Sequence, residues 1–381
     1  MVAACATGMG VSWNLASVGA AAEPVADHYG VALATVGLFT TSLFLAELLS
    51  MAAVGALVRR HGARLVGIGA LALCAAGNLA TLAVDGVAAA LVLRFVLGFG
   101  VGIGFVGGTA YVQHAGGGPL AQGLYGGLSL GTAGLAVAVV PVLTGATGWE
   151  APFVSGLAVA AVAAPLVAAG PDSRARADGN PSGFLRLLGN ALVLRFAVLY
   201  VAAFGLAIVL SNWVVTLLVR RGGFTEEAAG LVGALILVAA IVGRPGGGVY
   251  AHLRPERTRA LLVLAIVLGA LGTLLLGFAP PIAAAAIAAL MVGLAGGLPF
   301  GPLADGLSRA FPGSTGAAFA AMNAYALLMV IVGTPLVGLT FGLPGDGLIG
   351  FAAAAAYWCV ALLFCPTPAA LRTPRSSRAS T

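Results

Sequence analysis

One carboxylate interrupts the stretch LFTTSLFLAELLSMAAV at 38–54: Glu47, with Arg59 the nearest charge after it and Asp27, next to His28, the nearest before. Twelve residues of helix put it about 18 Å from Arg59 at ~1.5 Å per residue, near the middle of a hydrocarbon core. An ionisable group at that depth costs at least ~2.5–3.5 kcal/mol and by default faces a cavity or a partner. Glu47 is therefore a candidate proton-coupling group; the competing reading is a permanently protonated acid hydrogen-bonded to a neighbouring helix. Arg94, in LVLRFVLGFGVGIG at 91–104, stays charged wherever it sits and must find a carboxylate, backbone carbonyls or an anion. It joins Glu47 as a coupling candidate, with Glu47 itself one possible partner. Arg244 lies eight residues before His252, about 12 Å from the surface. It is a candidate ligand for a substrate anion, or a snorkelling or gate residue.

Amides, hydroxyls and indoles form a second group. Trp13 and Asn14, Ser211, Asn212 and Trp213, and further on Asn323 and Tyr325, stand inside apolar stretches. They could line a substrate site, polar groups orienting a ligand against an aromatic wall. Their alternatives are interhelical hydrogen bonding and, for the tryptophans, an interfacial belt. Metal binding is not expected, because His28, His61, His114 and His252 sit ungrouped at the ends of apolar stretches. Cys5, Cys74, Cys359 and Cys365 form no CxxC pair and read as small apolar residues. No acid pair, histidine cluster or activated nucleophile converges within the apolar stretches, so the chain is not expected to be an enzyme and implies no cofactor.

The elements carrying these residues are set by composition. Of 381 residues 60% are hydrophobic and 8% charged, with mean hydropathy +1.07. A soluble domain carries about 25% charged residues, whereas ~20 apolar residues cross a bilayer as a helix. Strand-like alternation is absent, so the expectation is an all-α membrane protein rather than a barrel. Apolar spans fall near 3–23, 32–58, 65–84, 87–112, 121–145 and 150–169, and again near 191–219, 227–250, 260–278, 281–304, 314–342 and 347–366. Between the two sets lies PDSRARADGNPSG at 171–183. This predicts 12 transmembrane helices: a six-helix bundle at 1–169, a linker at 170–190, a second six-helix bundle at 191–366 and a tail at 367–381.

Orientation follows from the basic residues, which cytoplasmic loops retain. With the N-terminus inside, the inner loops hold Arg59, Arg60, Arg64, Arg174, Arg176, Arg186, Arg254, Arg257, Arg259 and Arg309, and the tail adds Arg372, Arg375 and Arg378. The other side receives Arg220 and Arg221. Both termini and the linker are expected in the cytoplasm, in an inner or plasma membrane. The net charge of +6 is then topological and implies no nucleic acid. All 18 basic residues are arginines; without a lysine the chain can be neither its own P-loop ATPase nor a Schiff-base retinal pump.

The halves echo each other, as a duplicated pseudo-symmetric fold would. GALVRRHGAR at 55–64 aligns with GVYAHLRPER at 248–257, and SWN at 12–14 has a counterpart in SNW at 211–213. The first loop resembles the G-x-x-x-D-R-x-G-x-R pattern of the major facilitator superfamily of secondary transporters. Gly55, Arg60, Gly62 and Arg64 match, and Arg59 stands at the acid position. GRPGGGVYAHLR at 243–254 is similar to the second-half counterpart, with Gly248 in place and His252 where an acid is common. The resemblance implies that these residues form gating loops.

Arg94, Gly98 and Gly100 resemble the family's R-x-x-x-G-x-G stretch. GGLSLGTAGLAVAVVPVLTG at 126–145 is similar both to the antiporter segment, with Val140 replacing its last glycine, and to the nitrate/nitrite porter signature through Gly127, Leu128 and Gly131. Arg244-Pro245 is similar to those porters' anion-gripping arginine, and LFTTSLF before a basic loop resembles cyanate and nitroimidazole carriers. The implied function is secondary active transport of a small molecule by alternating access, in a monomer surrounded by lipid. The leading expectation is proton-coupled efflux of a small amphipathic compound by antiport, which Glu47 favours; the alternative is uptake of a small anion like nitrate, nitrite or cyanate, which Arg244 favours. A non-transporting receptor or assembly protein is the alternative of another class.

Overall fold

In a bilayer every backbone N–H and C=O must be satisfied within the protein, so an apolar chain of this composition folds as helices. The computed structural model describes residues 1–172, 181–312 and 314–366, and among these no strand forms. The linker arginines Arg174 and Arg176, and Arg372, Arg375 and Arg378 of the tail, lie outside the described residues. Nine stretches of the described residues are long and apolar enough to cross a membrane. One of them, Leu120–Ala168, contains two helices, Pro119–Thr147 and Ala151–Ala168. The last span, Leu348–Leu362, is shorter, and the first is broken into pieces, which brings the spans to the expected twelve.

That first span runs as Val2–Ser12, a 3-10 turn at Trp13–Leu15, Ser17–Ala20 and Ala22–Tyr29. Next come Leu33–His61, Ala63–Thr81, Val87–His114 and the two helices just named. After the amphipathic helix Pro181–Leu188, the seventh span is continuous from Ala191 to Gly222, with a π turn at Val201–Gly205. The eighth is Glu226–Val238 with Ala240–Leu253, and the ninth Thr258–Gly277. The tenth is Ile282–Gly297 with Phe300–Ala310, and the eleventh Thr315–Leu339.

Local chemistry starts and stops these helices. Asn190 caps the seventh span, its Oδ1 accepting from the Leu192 and Val193 amides at 3.0 and 3.3 Å. Asn190→Ala is expected to lower stability by about 1 kcal/mol, read as an earlier melt of the purified protein in detergent; an unchanged melt would show that lipid-facing packing alone holds this helix start. Gly223, at φ +64, closes the seventh span in the left-handed conformation where a side chain is disfavoured.

Apolar side chains such as Leu49, Val162, Val242 and Leu363 remain exposed on the outer surface of the bundle, where lipid meets them. Between helices, small residues permit close approach. A Cβ on Gly98 would fall 2.3 Å from the Leu43 carbonyl oxygen, so the fourth span lies directly on the second. Where the eighth span bears Pro245, a Cβ on Gly247 would come within 2.0 Å of the Leu298 carbonyl oxygen in the break of the tenth.

The halves meet along three span pairs: second with eleventh, fifth with eighth, and first with seventh. Gly37 abuts Pro335, Gly127 abuts Ala240 and Ile241, and Gly19 abuts Asn212. Two polar links also cross between halves on the face opposite the arginine-rich loops: Glu23 pairs with Arg220, and Thr144 Oγ1 donates to Glu226 Oε2 at 2.9 Å. The molecule is thus fastened at that face.

Candidate functional site

A small cavity of about 10 Å³ lies between the halves, about the room a single water needs. It is lined by Leu15 of the first span, Glu47 of the second, Val101 and Phe105 of the fourth and Leu130 of the fifth; the second half contributes Phe204, Arg244 and Asn323. Glu47, Arg244 and Asn323, expected from the sequence on separate grounds, therefore meet here. Relative exposures of 5%, 2% and 8% show that none reaches bulk water. Glu47 Oε2 and the Nε and Nη2 atoms of Arg244 are buried with no hydrogen-bond partner, and neither residue joins an ion pair among the described residues.

Arg244 is held by shape. Its guanidinium lies 4.4 Å from the centroid of the Phe300 ring and 5.5 Å from that of Phe204, a cation–π seat. A Cβ on Gly126 would be 2.7 Å from Nη1, so the fifth span leaves space for the guanidinium by carrying no side chain there. The Tyr200 hydroxyl, beside the π turn, is a side-chain partner of Arg244 and lies within electrostatic reach of Glu47. Tyr200 stacks on Phe204, with centroids 5.5 Å apart and planes at 13°.

Arg94 goes elsewhere. The break in the first span frees carbonyls that need donors, and Arg94 donates through Nη2 to the Asn14 carbonyl and through Nη1 to its Oδ1 at 3.5 Å. Asn78 Nδ2 reaches the same Oδ1 at 3.0 Å, and the Trp13 indole donates to Ser155 Oγ at 3.0 Å. Trp13, Asn14 and Arg94 thus belong to a polar knot inside the first half, and none of them lines the cavity.

The counterpart in the seventh span bridges the halves instead. Asn212 donates to the Leu15 carbonyl at 3.4 Å and the Ile208 carbonyl at 2.9 Å, and accepts from Thr40 at 3.0 Å. Ser211 turns back to the Ile208 carbonyl at 2.9 Å, and Trp213 donates to the Thr334 carbonyl at 2.8 Å. Tyr325 reaches the Leu188 carbonyl of the amphipathic helix at 2.7 Å and is not part of the cavity wall.

The two loops resembling gating motifs lie at the arginine-rich face. Gly55 is half-buried near the end of the second span, Arg59 and Arg60 are exposed, and Arg64 is half-buried. Gly62 takes φ +81, and a Cβ there would fall 2.3 Å from Asp172 Oδ1. An acid therefore reaches this loop from the end of the sixth span, although Arg59 occupies the acid position of the motif. His252 is exposed, and Gly248 is crossed by Gly301 of the tenth span.

Several cavity residues carried no signal in the sequence. Leu15, Val101, Phe105, Leu130 and Phe204, and Phe300 beneath Arg244, are apolar residues among many. Gly126 was visible as one of the glycines of the fifth span, without any sign that Arg244 lies against it.

Comparison with known proteins agrees with this architecture. Among curated proteins none matches the sequence. A mutant of the nucleoside transporter NupG superposes with TM-score 0.72 at 13% identity, covering 97% of this chain and 99% of that one. The human organic anion transporter MFSD10 (TETRAN) superposes with TM-score 0.67 at 16% identity, covering 95% and 98%; at these identities the likeness is one of fold. The sequence model of the Major Facilitator Superfamily matches residues 2–334, so the chain belongs to that superfamily of membrane transporters.

Proposed function

We propose that this chain is a proton-coupled secondary transporter whose substrate site is the cavity between Glu47 and Arg244, and that it carries a small solute bearing an anionic group. The observation that carries this reading is that a buried carboxyl oxygen from one half, Glu47 Oε2, and two buried guanidinium nitrogens from the other, Arg244 Nε and Nη2, lack hydrogen-bond partners in the wall of one cavity. Two such groups without a direct bond are an expensive arrangement unless a ligand completes it. The cavity is contracted and fastened at one face, so a solute enters when the halves part, as alternating access requires.

Charge balance explains how proton and solute would be linked. An anion on Arg244 beside an ionised Glu47 would place two negative charges in one low-dielectric space, a repulsion of several kcal/mol. The loaded carrier is therefore neutral when Glu47 is protonated: cation and anion cancel. The empty carrier is neutral when Glu47 is ionised opposite Arg244. Only these two neutral forms cross between inward- and outward-facing states at low cost, which makes proton and anion travel together. Efflux of an amphipathic compound is the leading expectation from the residues alone; Glu47 and Arg244 in one wall favour uptake by symport, with the arginine-rich face cytoplasmic. The apolar wall of Leu15, Val101, Phe105 and Leu130 still suits an amphipathic body, and export by exchange with protons is the second reading.

Reconstituted vesicles separate the two. Under symport, a small organic anion enters vesicles faster when the interior is made alkaline, and dissipating the gradient removes the stimulation. Stimulation by an acidic interior would support exchange, and solute flux indifferent to the pH gradient would sink proton coupling altogether.

A further inference from the structure

The chemistry of the ligand can be read from which edge of Arg244 is vacant. A guanidinium offers two faces and three edges. Here Phe300 covers one region of the group at 4.4 Å, Phe204 approaches at 5.5 Å, and Nη1 is pressed toward Gly126. The atoms without partners are Nε and Nη2, the pair whose N–H bonds point in parallel from the same edge. That fork matches the two oxygens of a planar carboxylate, with two parallel charge-assisted hydrogen bonds. The other buried arginine provides the contrast: both terminal nitrogens of Arg94 are engaged by Asn14, and Nε alone is vacant.

We propose that the Nε–Nη2 edge of Arg244 binds the carboxylate of a small monocarboxylic acid with a short apolar body. This inference rests on the reading that the Glu47–Arg244 cavity is the transport site. The apolar remainder of the wall, Leu15, Val101, Leu130, Phe105 and Phe204, offers apolar surface to a hydrocarbon chain once the halves part. A second negative group on the ligand would find no further arginine in the wall and would face Glu47, so dicarboxylates are disfavoured. The Asn323 amide lies in the same wall and is available to the carboxylate once the halves part. A sulfonate also offers two oxygens to the fork, but its third oxygen lies out of that plane and meets an apolar wall, so it fits this cavity less well.

The test is thermal stabilisation of the purified full-length protein by propionate, propionamide, ethanesulfonate and succinate at millimolar concentration. Propionate is expected to stabilise at least tenfold more potently than each of the other three. Arg244→Lys keeps the charge and removes the fork; it should lose at least tenfold in propionate affinity. If Arg244→Lys does not fold, the wild-type comparison decides alone. Equal stabilisation by propionate and propionamide, equal stabilisation by propionate and ethanesulfonate, or no shift with propionate overturns the proposal. Flux measurements keep the two readings apart. Propionate binding without gradient-driven accumulation would leave the ligand class standing and refute proton-coupled transport; gradient-driven accumulation of a non-carboxylate would do the reverse.

Discussion

Glu47→Gln is expected to abolish proton-driven accumulation while leaving solute exchange intact. Glutamine reproduces the neutral acid in size and in charge, so the loaded carrier still presents an anion on Arg244 and no net charge, and still crosses. The empty carrier no longer has an anionic partner for Arg244. It would have to reorient with an uncompensated guanidinium buried at 2% exposure, at a cost of several kcal/mol for a lone buried ion. The return limb therefore stalls. In vesicles with a pH difference of one unit, worth ~1.4 kcal/mol or about tenfold in concentration, the wild type would concentrate its substrate about tenfold. The variant would only equilibrate it. Counterflow, in which unlabelled substrate inside draws labelled substrate in, uses the loaded form alone and should survive. If Glu47→Gln still concentrates substrate under the gradient, the proton is carried elsewhere. If both modes disappear together, Glu47 is needed for the solute rather than for the proton.

How much of this was legible in the sequence depends on which coordinate is asked for. Depth was readable: counting residues from Arg59 and His252 put Glu47 and Arg244 well inside the membrane, and both line the cavity. Rotation about a helix axis was not readable, because each residue turns the side chain by ~100° and a local break resets the count. The 3-10 turn at Trp13–Leu15 is such a break. It directs Asn14 toward Arg94 and Asn78, whereas the similar Ser211-Asn212-Trp213 segment lies on an unbroken helix and bridges the halves. Tyr325 stands inside an apolar stretch, as a site residue would, but its hydroxyl turns to Leu188, on the amphipathic helix within the linker. The aromatic seat of Arg244 was out of reach for another reason: Phe204 and Phe300 have the composition of the whole chain, and only packing distinguishes them. Asp172 shows the same limit for charge, since the acid beside Gly62 comes from a position more than a hundred residues along the chain.

Arg94→Ala is expected to destabilise the first half by about 2 kcal/mol and leave the coupling ratio unchanged. The arginine satisfies a backbone carbonyl exposed by the break in the first span and one lone pair of Asn14 Oδ1. Hydrogen bonds to charged groups contribute about 1.5–3 kcal/mol each, and an orphaned buried carbonyl costs about 1–3 kcal/mol. Against these stands the relief of no longer burying a guanidinium with a vacant Nε, which keeps the net loss modest. Asn14→Ala removes the side-chain partner and leaves the carbonyl, so the double variant should lose less than the sum of the singles. A lowered melting temperature, with full accumulation in the fraction that folds, would identify Arg94 as the group that holds the first span's break in shape. Loss of accumulation at an unchanged melting temperature would instead put Arg94 on the proton route with Glu47, and the polar knot around Asn14 would then be part of the coupling machinery.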